Sequence, residues 1–374
     1  MEKLREEKRG LAAIFWLCPV RHVIALLCAL VIGLHLVTRG SYAFNAAVSD
    51  NFVRPVHKLL SRVTAPVPFS VAELLIALAV VGILVYIPYS VVCVIRGQEW
   101  LKQLYRVFVT LGMAGLVFYG GFCLLWGEYF YADDFVTKAG LRAEKISVEE
   151  LKTVTAYFAG LANEYAPLVS RDENGVCATD RRQVLEKSPE VYRNAEKLFP
   201  VLQWPEIPAK PIFFSRIMSY LDFTGFFFPF TAEANVNTDY PPSLFASTVA
   251  HELAHQRGAA KEQEANFVAV LASLEYGDAD YCYSASLLAY IHLGNALYEV
   301  DRAAWEGIYS TLDETILRDF AANRAYWSRF ETPVQTVSNT VYENFLYSYD
   351  QDLGLKSYGA CVDLLVNYYI DKIP

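Results

Sequence analysis

Charge is scarce in this chain. Asp, Glu, Lys and Arg make up 20% of its 374 residues, against 54% hydrophobic residues. A soluble domain carries about a quarter charged residues, and a disordered chain carries more still. A mean hydropathy of +0.22 therefore excludes disorder. Basic excess is missing as well, since the formal net charge is −9. Phosphate binding needs clustered Lys and Arg, so nucleic acid is not expected as a partner. Seven Cys are too few for a disulfide-stapled secreted mini-domain. The sequence also lacks internal repeats and low-complexity segments. What is left is a membrane protein with a soluble part, or an unusually apolar globule.

The distribution of charge decides between these. Residues 1–127 carry 12 Lys and Arg against 6 Asp and Glu, a balance of +6; the remainder carries 20 against 35, a balance of −15. A basic, apolar front is joined to an acidic back. Within the front, 22 uncharged residues separate Glu73 from Arg96, and 21 separate Arg106 from Glu128. Each matches the roughly 20 residues that cross a bilayer as a helix. Pro88 and the glycines do not oppose this, because membrane helices tolerate them. A shorter apolar run, His22 to Thr38, follows Arg21, which can snorkel toward headgroups. A cleaved signal peptide is its rival, with Ser41 and Ala43 near a cut. The long basic lead (Lys3, Arg5, Lys8, Arg9) favours an uncleaved anchor. The expectation is a three-helix membrane anchor over 1–127, with spans near 22–38, 72–95 and 107–127, and a soluble domain over 128–374.

Orientation follows from basic residues beside the spans. The N-terminal lead and the loop with Arg96, Lys102 and Arg106 read as cytoplasmic. The segment after the third span has no basic residue before Lys138. A multi-pass protein of the cell membrane with an extracytoplasmic soluble domain is expected. The first loop dissents, with Arg39, Arg54, Lys58 and Arg62 on the outer side.

The back half reads as mainly α with a minor β element. Ser147-Val-Glu-Glu150 is a capping box before a helical pattern. A further helix is expected over 188–198, ended by Pro200. The aromatic stretch from Pro211 to Asn237, with Gly225 and Pro229, reads as short strands. From Ser243 onward helical signals persist.

Chemistry concentrates in one place. His251-Glu252-Leu-Ala-His255 is HExxH. Residues four apart share a helical face, so both histidines can converge on one metal with Glu252 beside it to hold a water. Gly258 stands where a left-handed cap would end that helix. Catalytic zinc takes three protein ligands and keeps a fourth position open. The back half contains only one further histidine, His292, which reads as a packed core residue. The third ligand is then either His292 or, by preference, a carboxylate from the next helix. Glu262 shares a face with Ala265, Asn266 and Ala269, small enough for close approach; Glu264 shares its face with Phe267, Val268 and Leu271. Glu262 is preferred and Glu264 stays as the alternative. Asn266, one turn beyond Glu262, can accept from the free ring N–H of a ligating histidine. Tyr358 is a candidate oxyanion donor, against the plainer reading of a core tyrosine. The strand region before the motif helix can supply an edge for an extended peptide.

The run HELAHQRGAAKEQEANF resembles the gluzincin arrangement, in which HExxH on one helix is joined by ExxxD, or ExxAN, on the next. The resemblance implies Zn²⁺ as cofactor, Glu262 as its third ligand and Asn266, in place of Asp, as the residue supporting a histidine. The wider chain resembles an uncharacterised bacterial membrane family, domain of unknown function 3810. The strings that carry this are PFSVAE before the second span, FTGFFFPFTAEANVN, HELAHQRG and GLKSYGACVDLLVNYY. That resemblance implies a zincin-like soluble domain and a zinc-peptidase-like site.

The function expected is a membrane-anchored zinc metallopeptidase, with Glu252 as general base toward a metal-activated water. Its partners would be the lipid bilayer and a peptide or protein substrate. The alternative is a non-catalytic sensor or scaffold with a structural or degenerate zinc site, closed by His292 or Glu264. A non-peptide amide in cell-wall material is a third target. An intramembrane protease is disfavoured, because Arg257, Lys261 and Glu262 follow the motif and no long apolar span contains it.

Overall fold

The structure is a computed structural model that describes residues 14–141, 144–349 and 358–373; the side chains of 358–360 lie outside the description. The chain is mainly helical and divides into two compact units, residues 1–53 with 72–132, and residues 54–71 with 133–374.

The first unit holds three long helices, α1 (Pro19–Thr38), α3 (Val71–Arg96, with its first residue in the other unit) and α4 (Trp100–Leu125). All three are long and apolar enough to cross a membrane. Their ends differ from the uncharged stretches by a few residues, since Lys102 and Arg106 continue α4 outward as helix. Pro88 sits inside α3, where its missing N–H costs one ladder bond. The helices α1 and α4 approach closely at Gly120, where an added Cβ would stand 3.4 Å from the Cys28 carbonyl oxygen. Small residues allow this in apolar surroundings, where dispersion and polar contacts drive helix association. Polar pairs tie the two ends: His22 Nε2 lies 2.7 Å from Tyr105 Oη, and buried His35 Nδ1 lies 3.0 Å from Glu128 Oε1.

The second unit begins with α2 (Arg54–Thr64), an amphipathic helix. Arg54 donates to the carbonyls of Arg257 (3.2 Å) and Gln203 (2.9 Å), and Ser70 Oγ donates to Asn235 Oδ1 (2.6 Å). Lys58 lies over the Trp204 ring. Arg54 and Lys58 are thus engaged within the unit. Residues 54–71 and 133–374 share one unit, so α3 and α4 between them must both cross the bilayer or neither does.

The unit's core is built by α5 (Val148–Tyr165), α6 (Phe245–Gln256), α7 (Glu262–Tyr276), α8 (Ala279–Val300) and α11 (Tyr358–Tyr369). Ser147 and Glu150 form the expected capping box on α5. Phe158, Leu253, Phe267 and Leu293 are fully buried, each contributing about 1.5–3 kcal/mol. Outside this core lie α9 (Glu314–Trp327) and α10 (Pro333–Ser348). The helix expected over 188–198 is broken into a 3₁₀ turn at Ser188–Glu190 and one α turn at Ala195–Leu198. Tyr192 leaves the helical path there to bury its ring and donate to the Ala250 carbonyl at 2.7 Å.

A small sheet lies against α6. Its strands are β1 (Lys210–Pro211), β2 (Gly225–Phe228) and β3 (Glu233–Val236), in order β1-β3-β2, parallel for the first pair and antiparallel for the second. A short helix, Ser215–Tyr220, interrupts the stretch expected to be strands alone. The central β3 is buried throughout, and its Glu233 pairs with buried Lys210 at 2.5 Å. Among the described residues β2 is an edge strand, and it borders the motif helix.

Candidate metal centre

HExxH occupies the last two turns of α6, which is held by neighbours on several sides. Ser284 Oγ accepts from the Ser247 N–H at 2.8 Å, and Gln256 donates to the Ala232 carbonyl at 2.8 Å. The helix stops at Arg257, and Gly258 takes φ 97°, the left-handed region open to glycine. The chain then turns back and α7 starts at Glu262.

That reversal builds the site. The rings of His251 and His255 are 4.6 Å apart and nearly perpendicular. His255 Nδ1 lies 2.6 Å from the Ala259 carbonyl oxygen. A carbonyl only accepts, so Nδ1 carries a proton there and Nε2 is the nitrogen turned toward Glu262. His251 Nδ1 donates likewise to Asn266 Oδ1 at 2.9 Å. Both Nε2 atoms face Glu262, at 3.2 Å from its Oε2 for His251 and 3.7 Å from its Oε1 for His255. Zinc bonds of about 2.0–2.1 Å at the tetrahedral angle put two ligand atoms roughly 3.3 Å apart. The two His–Glu262 separations lie close to that value, and all three donor atoms lie within 4.8 Å of one another. Among the described residues this is the set of His, Cys, Asp and Glu that converges in this way.

Glu264 faces elsewhere. Its carboxylate accepts from the N–H groups of Phe135 (3.3 Å) and Val136 (3.1 Å), capping a short helix. Lys261 next to it pairs with Asp134 at 2.6 Å. His292 is buried in α8 outside the converging set; burial, then the charge of His251, pushes its imidazole down to about 4. Tyr358 opens α11, but its side chain lies outside the described residues.

Glu252 is buried beside the two histidines, and its Oε2 has no hydrogen-bond partner among the described residues. Burial raises its carboxyl to about 7, against the opposing pull of His251 and His255. On its other side it packs on the backbone of Gly225 in β2. A buried, orphaned carboxylate oxygen needs a polar guest. Burial works against the charges of His255 and Glu262, yet their mutual attraction prevails. Glu262 is held well below the usual carboxylate range, and His255 is raised to about 9. The Glu262 carboxylate thus favours positive charge beside it, which a cation would supply in place of the His255 proton.

One neighbour was not legible in the sequence. Tyr342, on α10, donates its hydroxyl to Glu262 Oε1 at 2.5 Å. Beside the donors lies a cavity of about 280 Å³, lined by Thr224, Tyr240, Thr248, His251 and Glu262 among others.

Comparison with known proteins gives kinship without chemistry. The family model described as protein of unknown function (DUF3810) matches residues 49–366, so the chain belongs to that family. No curated protein and no solved structure matches the chain.

Proposed function

We propose that this DUF3810 protein is a membrane-anchored zinc metallopeptidase whose catalytic unit faces the extracytoplasmic side. The observation that carries the reading is the convergence of His251, His255 and Glu262 beside the unpartnered oxygen of Glu252. Zinc held by these three would acidify a water and polarise a peptide carbonyl. Glu252 would accept the proton of such a water and return it to the leaving amine. Asn266 and the Ala259 carbonyl keep both imidazoles turned toward the site. The Tyr342 hydroxyl donates to Glu262 and so fixes that carboxylate in its place facing the two histidines. The β2 edge offers backbone groups to an extended peptide.

A structural zinc site is the runner-up, and it would need a fourth protein donor. The two residues suited to that role are engaged or remote: Glu264 caps the helix at Phe135 and His292 stands outside the set. The side of the membrane rests on Arg96 at the end of α3 and on Lys102 and Arg106 at the start of α4, beside the short turn that joins them. Arg54 and Lys58, which argued otherwise, are bound within the second unit. The test is Glu252→Gln in the full-length chain. Zinc content should stay at one per chain while cleavage of a peptide library falls by about 10²-fold or more. Undiminished cleavage in that variant would remove the mechanism.

A further inference from the structure

An apolar depression of about 680 Å³ borders the candidate centre, lined by Leu221, Phe223, Val337, Val341, Tyr342 and Phe345 among others. We infer that it is the subsite for a bulky apolar side chain of the substrate, Leu- or Phe-like, next to the bond that is cut. The inference rests on the peptidase reading above and adds its specificity.

Continuity with the site carries the argument. Tyr342 belongs to both places: its ring packs edge-on against Phe223, with centroids 5.3 Å apart, while its hydroxyl reaches Glu262. The chain 223–225 makes a second link. Phe223 lines the depression, Thr224 lines the cavity beside His251, and Gly225 touches Glu252. Three consecutive residues span at most about 7 Å between first and last Cα. A substrate residue beside the scissile bond is therefore within one side chain's reach of the depression.

The lining also selects by chemistry. Its polar groups are already used: Ser338 Oγ donates to the Leu221 carbonyl at 2.8 Å, and the Tyr342 hydroxyl is given to Glu262. No Asp, Glu, Lys or Arg is among the described lining residues. A charged side chain would lose its hydration there without a partner. Val337 and Val341 are 63% and 64% exposed on one face of α10, apolar surface that an apolar guest would cover.

The experiment uses the full chain in detergent, loaded with zinc, and two peptide hydroxamates that differ in one residue, phenylalanyl against glycyl. The phenylalanyl probe should bind at least about tenfold more tightly. Val341→Asp, an exposed position outside the metal-binding set, should cut that preference to under about threefold while zinc content and glycyl-probe affinity stay unchanged. Equal affinity of the two probes in the unaltered chain would overturn the subsite, as would a preference that survives Val341→Asp. Failure of both probes to bind a chain that holds no zinc would instead overturn the metal reading, and the subsite with it.

Discussion

Gly225 offers a sharp test of how β2 and α6 are fitted together. A Cβ added there would lie 2.6 Å from Glu252 Oε1, 2.7 Å from Glu252 Cγ and 2.8 Å from the Asn235 backbone oxygen, where ordinary contact begins at 3.4 Å. The carboxylate would have to retreat by about 0.8 Å, and β2 would have to part from β3 by nearly as much. Glu252 is buried, and β3 is buried on both faces, so neither can yield freely. Overpacking of this kind costs about 1–3 kcal/mol. At roughly 2–4 °C per kcal/mol, a mid-range cost of about 2 kcal/mol lowers the unfolding temperature of a unit this size by about 4–8 °C. A misplacement near 1 Å of a group acting on substrate costs about 10²-fold in rate. Gly225→Ala should therefore lower both melting temperature and peptide turnover while zinc content is unchanged, because Glu252 is not among the three converging donors. Gly160→Ala is the control: nothing lies within 4 Å of its added Cβ, and it sits in the helix α5, so it should be neutral or slightly stabilising. A Gly225→Ala protein that melts and cleaves like the parent would refute the packing argument.

Three further outcomes are expected. His255→Ala should lower bound zinc by about an order of magnitude or more, read by metal analysis after dialysis; stoichiometric zinc in that variant would dismiss the site. A reporter fused after Pro374 should be active only outside the cytoplasm, and a cytoplasm-only signal would invert the topology. His57, buried against Phe227, should make stability depend on acid. Burial lowers its imidazole to about 4, with the Pro229 backbone opposing, so the unfolded chain binds a proton near pH 6.5 that the folded chain refuses. Stability is then full above about pH 6.5 and declines by about 3 kcal/mol as pH falls toward 4. Melting temperatures of the parent and His57→Gln across that range should diverge at neutral pH and converge in acid; parallel curves would count against a buried neutral His57.

Features of the fold that depend on near neighbours were legible in the sequence. The three apolar helices follow from missing charge, and the start of α5 follows from Ser147 and Glu150 three residues apart. The broken helix over 188–198 was not legible, because Tyr192 departs from the helical path to reach Ala250, 58 residues away. The role of residues 54–71 was hidden for the same reason. Arg54 counts as one more positive charge in a loop until its partners, more than 140 residues on, come into view.

The candidate site divides along the same line. His251 and His255 converge because helical geometry puts four-residue neighbours on one face, and the Gly258 turn brings the next helix back upon them. Glu262 and Glu264 lie two positions apart, so at about 100° per residue they project roughly 160° from each other. Only one can face the histidines. Small neighbours on the Glu262 face pointed to it, and the structure puts Glu262 there while Glu264 meets the N–H groups of Phe135 and Val136. Tyr342 has no such local signal. It is one of 25 tyrosines, and its link to Glu262 spans 80 residues. Only the packing of α10 against the 221–223 segment, through Ser338 and Phe223, puts that one hydroxyl beside the ligand carboxylate. The candidate metal-binding motif is thus written in helical spacing, whereas the groups that would shape a substrate around it come from tertiary packing.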